Sequence, residues 1–166
     1  MNAIWNNFFS KNNLKVRDYL KKVPIFADLS NGELKKLEKH MIRRKFMTNE
    51  YIFREMEPGA GMYIVMSGNV KIQIETENKQ IKDLALLIEG DFFGEMALLD
   101  ESPRSASALA FSDKVELLSF FRGDLLKVMQ EQPEIACKIL WNIGGVISAR
   151  LRKTNEQISL WEKKST

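Results

Sequence analysis

The sequence is poor in the residues that metal centres, disulfides and imidazole catalysis require. Its 166 residues include one Cys (Cys137) and one His (His40). A single thiol cannot close an internal disulfide, and one Cys with one His cannot build a Cys/His metal cluster. Ser-His or Cys-His catalysis would rest entirely on His40, whose neighbours Glu38-Lys39-His40-Met41 read as ordinary helix. Long apolar runs are also missing, since none approaches the ~20 residues that a bilayer span needs. The opening Met1-Asn2-Ala3-Ile4-Trp5-Asn6-Asn7-Phe8-Phe9 has no basic region and no long apolar stretch, so it does not read as a signal peptide. Charge of one sign is scarce: 25 Lys and Arg against 22 Asp and Glu leave +3. That is too mild to imply a nucleic acid or a membrane surface as partner. A lone thiol without an export signal fits a reducing cytoplasm. The absences together point to a cytoplasmic protein that is not an enzyme and holds no metal or cofactor.

What is present is a normal core composition, 45% apolar and 28% charged. This suits one domain, or one domain with a long helix. Residues 3–20 carry helical character, with Ile4, Trp5, Phe8 and Phe9 at helical spacing and Leu14 and Leu20 continuing the apolar side. This aromatic segment is read as packing on the core, with contact to a membrane or partner as the alternative. Val23-Pro24-Ile25-Phe26 breaks the helix, because Pro lacks a donor and restricts its predecessor. Ser30-Asn31-Gly32-Glu33 predicts a capping box opening a short helix with Leu34, Leu37 and Met41 on one face. From about residue 44 the period changes from 3.6 to 2. Tyr63–Met66, a Ser67-Gly68-Asn69 turn and Val70–Ile74 predict a hairpin, followed by strands over Ile81–Leu87 and Val115–Phe120. Eight or so short strands between helices predict an α+β fold built on an antiparallel β-barrel or jelly roll. A short helix ends before Pro133. Residues 134–163 contain no Pro and predict one helix on the order of 45 Å long.

The segment from Gly90 to Ser107 carries the chemistry. Gly94 allows close backbone approach to a ligand, and the turn after it offers free N–H groups to an anion. Arg104 adds a planar, permanently charged fork suited to phosphate oxygens. Glu95 is an acceptor only, so it suits a sugar hydroxyl and would repel a second phosphate charge. Arg104 and Glu95 together therefore fit a ligand with one phosphate charge and one free ribose hydroxyl. The plainer readings are that Arg104 pairs with Asp100 or Glu101, and that Glu95 simply favours a helix N-terminus.

Gly90-Asp91-Phe92-Phe93-Gly94-Glu95 joined to Pro103-Arg104-Ser105-Ala106 resembles the phosphate-binding cassette of cyclic nucleotide-binding domains. These are found in bacterial catabolite activators and in regulatory subunits of cAMP-dependent protein kinase. The resemblance covers about residues 20–160 and includes Val23-Pro24-Ile25-Phe26 and the hairpin at Tyr63-Ile64-Val65-Met66-Ser67-Gly68. It implies that Arg104 pairs with the cyclic phosphate and Glu95 with the ribose 2′-hydroxyl. Gly94, Met96 and Ala97 would line the sugar-phosphate with backbone groups, and Ser105 would add a hydroxyl. Thr154 and Asn155 on the last helix match the polar pair that meets adenine, one of them from a second subunit. Ser105 in place of Thr, with that pair, leans to cAMP over cGMP. Two loop positions depart from the family pattern. Asn49 tolerates left-handed backbone, whereas Met56 does not readily adopt it, so the loop at 55–61 is expected to differ in shape.

The implied organisation is an N-terminal helix (1–22), a cyclic nucleotide-binding barrel (23–132) with its cassette at 90–107, and a long C-terminal helix (133–166). That helix carries a seam of Leu140, Gly144, Ile147, Leu151, Thr154, Ile158 and Trp161 in alternating steps of 4 and 3, which predicts a parallel homodimer contact. Packing on the barrel is the alternative. Arg150, Arg152 and Lys153 read as a solvated face, and Cys137 as a small buried residue. The expected function is a cyclic nucleotide sensor whose C-terminal helix closes over the base and signals to an unidentified protein partner. A scaffold that does not depend on ligand is the alternative. Because the sequence ends at Thr166 without a helix-turn-helix, direct DNA binding is not expected.

Overall fold

The structure is a computed structural model that describes residues 16–165. The aromatic positions Ile4, Trp5, Phe8 and Phe9, with Leu14, lie outside the described residues, as does the side chain of Trp161. The described chain opens with α1 (Val16–Leu20), a 3-10 turn (Pro24–Phe26) and α2 (Asn31–Leu37). Eight strands follow: β1 (Ile42–Met47), β2 (Tyr51–Phe53), β3 (Gly61–Ser67), β4 (Val70–Glu75), β5 (Ile81–Leu87), β6 (Phe92–Phe93), β7 (Ser107–Ala110) and β8 (Lys114–Phe121). Two helices close the chain, α3 (Arg122–Glu131) and α4 (Pro133–Ser165).

The strands form two antiparallel four-stranded sheets, ordered β1-β8-β3-β6 and β2-β7-β4-β5. The expected jelly roll is therefore a pair of facing sheets, not a single closed barrel. The first sheet is covered on both sides, which explains the unbroken apolar run of β3. Met62, Ile64 and Met66 join Leu118 and Phe120 of β8 against the helices, where Leu20, Ile25, Phe26, Leu34 and Leu37 are buried. The intervening Tyr63 and Val65, with Val115 and Leu117, point to the second sheet and meet Phe46, Val70, Phe93, Ala108 and Ala110. Full burial of each large side chain contributes roughly 1.5–3 kcal/mol. The alternation of strand side chains thus ties helices and both sheets into one packed unit.

The short helix α2 forms where its capping box predicts. The Glu33 amide donates to Ser30 Oγ at 3.3 Å, and the Ser30 amide donates to Glu33 Oε2 at 2.7 Å. The same carboxylate accepts from Lys138 Nζ at 2.8 Å, which fastens α2 to α4. Further along α4, the Asn142 side-chain amide donates to the Ile25 carbonyl. Ile135, Ala136, Ile139 and Ile143 of α4 enter the core, and Leu140, Val146 and Ile147 pack against its margin. The first part of the expected seam thus packs on the roll. From Ser148 to Leu160 every residue of α4 is exposed, so Leu151, Thr154 and Ile158 face solvent. Cys137 is also exposed, contrary to expectation: it follows the inward Ile135-Ala136 pair and turns to the outer side of the helix. Met56 departs from expectation as well, since it does adopt left-handed backbone (φ 66°), as does Asn49 (φ 64°).

The Lys138 hydrogen bond, followed by that from the Ser30 amide, holds the Glu33 carboxyl at about 2, well below its usual 4.5. A carboxyl depressed in the folded state stabilises the fold above its unfolded pKa, and the contribution fades as pH falls toward the folded value. Lys138→Met is therefore expected to lower stability at neutral pH. The loss should be below ~1 kcal/mol, because the Lys138 side chain is 41% exposed. The gap from wild type should close as pH falls from 4.5 to about 2. Urea unfolding across that range measures it, and a gap independent of pH would contradict the assignment.

Candidate functional site

Strand β6 ends at Phe93, and the chain turns at Gly94 in left-handed geometry (φ 76°) into a four-residue 3-10 turn, Glu95–Leu98. Only glycine suits this place on two counts. Its φ is unfavourable to other residues, and a Cβ would lie 2.7 Å from Arg104 Nη1 and 3.2 Å from the Gly61 carbonyl oxygen. The space a side chain would need is taken by the Arg104 guanidinium. That group donates from Nη2 to the Gly61 carbonyl at 2.8 Å and from Nη1 to the Gly94 carbonyl at 3.3 Å.

Arg104 is only 7% exposed, unusual for a cation that forms no salt bridge among the described residues. Asp100 instead accepts from Ser102, and Glu101 pairs with Arg122, so neither is taken by Arg104. The guanidinium carbon lies 4.1 Å from the ring centre of Phe53, an aromatic face that stabilises a desolvated cation. Phe53 is itself held by Tyr63 and Phe93, each 5.8 Å away between ring centres. Burial pulls the Arg104 pKa below its ordinary value, the sign of a charge short of solvation. Its Nε is buried without a hydrogen-bond partner among the described residues. Local backbone bonds fix the residue: the Arg104 amide donates to Glu57 O and the Met56 amide donates to Arg104 O, both at 2.8 Å. The left-handed turn at Met56 is what aims that amide, so this family departure supports the site and does not distort it.

Glu95 is 3% exposed, and its Oε1 accepts from Arg150 Nη1 at 2.5 Å. Arg150 also donates from Nη2 to the Phe92 carbonyl at 3.3 Å and lies 5.0 Å over the Phe92 ring. Arg150 is exposed on α4 as expected, yet it also reaches back to the cassette. Sequence reasoning missed it because Arg150 sits in a basic run on a helix and its partner is 55 residues away.

These groups line a pocket of about 400 Å³. Gly94, Glu95, Met96, Ala97, Arg104 and Ser105 all border it, with Arg150 at the helix side and Phe53, Ile72, Ala85 and Leu87 forming apolar wall. Six of the eight expected site residues therefore converge. The other two, Thr154 and Asn155, are exposed on α4 outside this lining, and the Thr154 hydroxyl donates to the Arg150 carbonyl at 3.0 Å. Among the described residues there is no group of His, Cys, Asp and Glu able to hold a metal ion. No described helix is long and apolar enough to cross a membrane.

The family model for the cyclic nucleotide-binding domain matches residues 43–132. The chain belongs to the cyclic nucleotide-binding domain family, in agreement with its two-sheet roll and cassette. It is 36% identical over 141 residues to the cyclic AMP receptor protein of Thermus thermophilus, covering 85% of this chain and 63% of that protein. It is 35% identical over 117 residues to a cGMP-dependent protein kinase of Caenorhabditis briggsae, covering 69% of this chain and 16% of the kinase. Among solved structures, the N-terminal domain of a transcriptional regulator from Streptomyces coelicolor aligns with a TM-score of 0.73 at 30% identity, covering 85% of this chain and 95% of that one. The chain thus spans less than two thirds of the length of these curated relatives.

Gly94→Ala is expected to destabilise the fold by about 1–2 kcal/mol from backbone geometry alone. It should also push Arg104 off the Gly94 carbonyl. Thermal unfolding with a crystal structure of the variant checks both, and an unchanged melting temperature would contradict the strain.

Proposed function

We propose that the chain binds a cyclic nucleotide, cAMP in preference to cGMP, and uses it to set the position of α4. The observation that carries the reading is the buried Arg104 guanidinium on the Phe53 face, bordering a pocket that also holds Glu95. Glu57 is near enough to favour the Arg104 charge but makes no ion pair with it, and a singly charged cyclic phosphate supplies a directly bound counter-charge. The remaining N–H groups of Arg104 suit phosphate oxygens, and the Ser105 hydroxyl adds a further donor. Glu95 keeps Oε2 for a ribose hydroxyl, while Gly94, Met96 and Ala97 border the sugar-phosphate. The two kinds of relative, one named for cyclic AMP and one for cGMP, support the ligand class more than the base.

Arg150 offers the link to the helix. It binds the carboxylate that would take the ribose, and it belongs to the exposed stretch of α4. A ligand that engages Glu95 changes what holds Arg150, and so makes contacts that differ between two positions of α4. Such differential contact is the requirement for a population shift. In the closed position Thr154 and Asn155 would meet the base, one of them from a second copy paired along Leu151 and Ile158. The roll of 23–132 then acts as receptor and the helix of 133–166 as lid, within a regulatory and non-catalytic protein.

Calorimetric titration with cAMP and cGMP tests the ligand. Wild type should bind cAMP in the micromolar range or tighter. Arg104→Ala should weaken binding by roughly 10- to 150-fold, the equivalent of losing a charge-assisted hydrogen bond of about 1.5–3 kcal/mol. Failure of wild type to bind either nucleotide sinks this reading and leaves a scaffold that works by protein contacts. Arg150→Ala tests the helix link separately. Hydrogen exchange in the exposed stretch of α4 should speed up several-fold in this variant, and an unchanged rate would remove Arg150 from the mechanism.

A further inference from the structure

The two sheets have four edge strands, and three of them are guarded against pairing with another chain. β6 has two residues and β2 has three, too short to template a partner strand. β1 has six but displays Arg43, Arg44 and Lys45 in exposed positions. Charged side chains of this kind are a common protection of edges. The fourth edge, β5, is different. It runs for seven residues, about 23 Å, at the open side of the β2-β7-β4-β5 sheet. Leu84 and Leu86 are each 51% exposed, and Ile81 and Ile88 are 57% and 55% exposed.

β5 carries a single exposed lysine, Lys82, against the three consecutive basic residues of β1, and its Asp83 is not free to guard it. Asp83 is held by Lys71 at 2.7 Å and by the Gln73 side chain at 2.6 Å, both on the neighbouring β4. The register skips Leu84, since Ile72 pairs with Ala85 and Gln73 with Asp83. This bulge twists the edge, yet it leaves the Leu84 side chain in water. Ala85 and Leu87 border the ligand pocket on the inner side of the strand. The apolar Leu84 and Leu86 therefore belong to the outer side, where Phe111 is also 45% exposed.

We infer that β5 is a homotypic docking edge: a second copy of the chain adds its own β5 antiparallel to this one. Charge selects both the partner and the direction. Lys79 and Lys82 stand at the start of the strand, after Glu77, and Glu89 stands just beyond its end, half-exposed and only loosely paired with Lys22 of the same chain at 3.7 Å. Antiparallel addition of an identical strand brings each end's lysines beside the other copy's Glu89. Parallel addition would set Lys82 against Lys82 and Glu89 against Glu89. Main-chain bonds along the open edge supply attachment, and the exposed leucines and isoleucines of the two copies cover one another. This contact is separate from the α4 seam and does not depend on nucleotide binding.

Sedimentation velocity on the full chain without nucleotide, from about 1 µM to about 1 mM, suits an interface of this modest size. Wild type should associate to a dimer or larger as concentration rises. The double variant Leu84→Lys/Leu86→Lys should require at least tenfold more protein to associate, with unchanged far-UV circular dichroism because both residues are exposed. The α4 variant Leu151→Glu/Ile158→Glu should keep the β5-dependent association. Hydrogen exchange of β5 amides in wild type should slow about tenfold or more between the two concentrations. Wild type that stays monomeric throughout overturns the proposal. So does association that the β5 variant retains in full, or β5 exchange that is independent of concentration.

Discussion

The site depends on one buried charge. Removing a guanidinium from water is costly unless fixed dipoles and an aromatic face replace the solvent. Around Arg104 these are the carbonyls of Gly61 and Gly94 and the ring of Phe53. Each imposes a further condition on the fold. Gly94 must lack a side chain, or the guanidinium has no room. Gly61 must lie against β8, where a Cβ would meet the Phe120 carbonyl at 2.4 Å. Phe53 must be braced by Tyr63 and Phe93, which come from the other sheet. The loop at Met56 must turn left-handed to grip the Arg104 backbone. The packing between the sheets and the electrostatics of the pocket are thus one problem with one solution.

A second ionic contact works differently. Arg150 is half-exposed while Glu95 is buried, so the pair joins a well-held cassette to a helix whose residues from Ser148 to Leu160 are exposed. Lys138 and Asn142 anchor the first half of α4 to α2 and to the Pro24–Phe26 turn. The helix is therefore fixed at its base by apolar packing and tied near its middle by one cation. Few buried contacts hold the exposed stretch from Ser148 to Leu160, so displacing it costs little.

Much of the local structure was legible because its causes are local. The Ser30–Glu33 box needs residues three apart, and the hairpin of β3 and β4 needs a turn between alternating runs. The cassette was legible as Arg104, Glu95 and Gly94, and these do converge on one pocket with Ser105, Met96 and Ala97. The exceptions share a cause. Arg150 is exposed as its basic run implies, but helical spacing says nothing about its partner in a distant loop. Cys137 was read as buried from residue type, when one step of helix rotation past Ala136 turns it outward. Met56 was judged by its intrinsic preference, which the two backbone bonds to the Arg104 segment override.

By itself, then, the sequence determined which elements form and which chemistry is available: period-2 and period-3.6 patterns, caps and turns act over a few residues. It also settled the charge types of the pocket, since no fold can add a cation or carboxylate that the chain lacks. Only the tertiary structure decided that the roll is two facing sheets and that Arg104 is desolvated on Phe53. It alone brought Arg150 to Glu95 and left β5 as the long apolar edge. Those outcomes depend on residues tens of positions apart meeting in space, and such meetings follow from packing the whole chain.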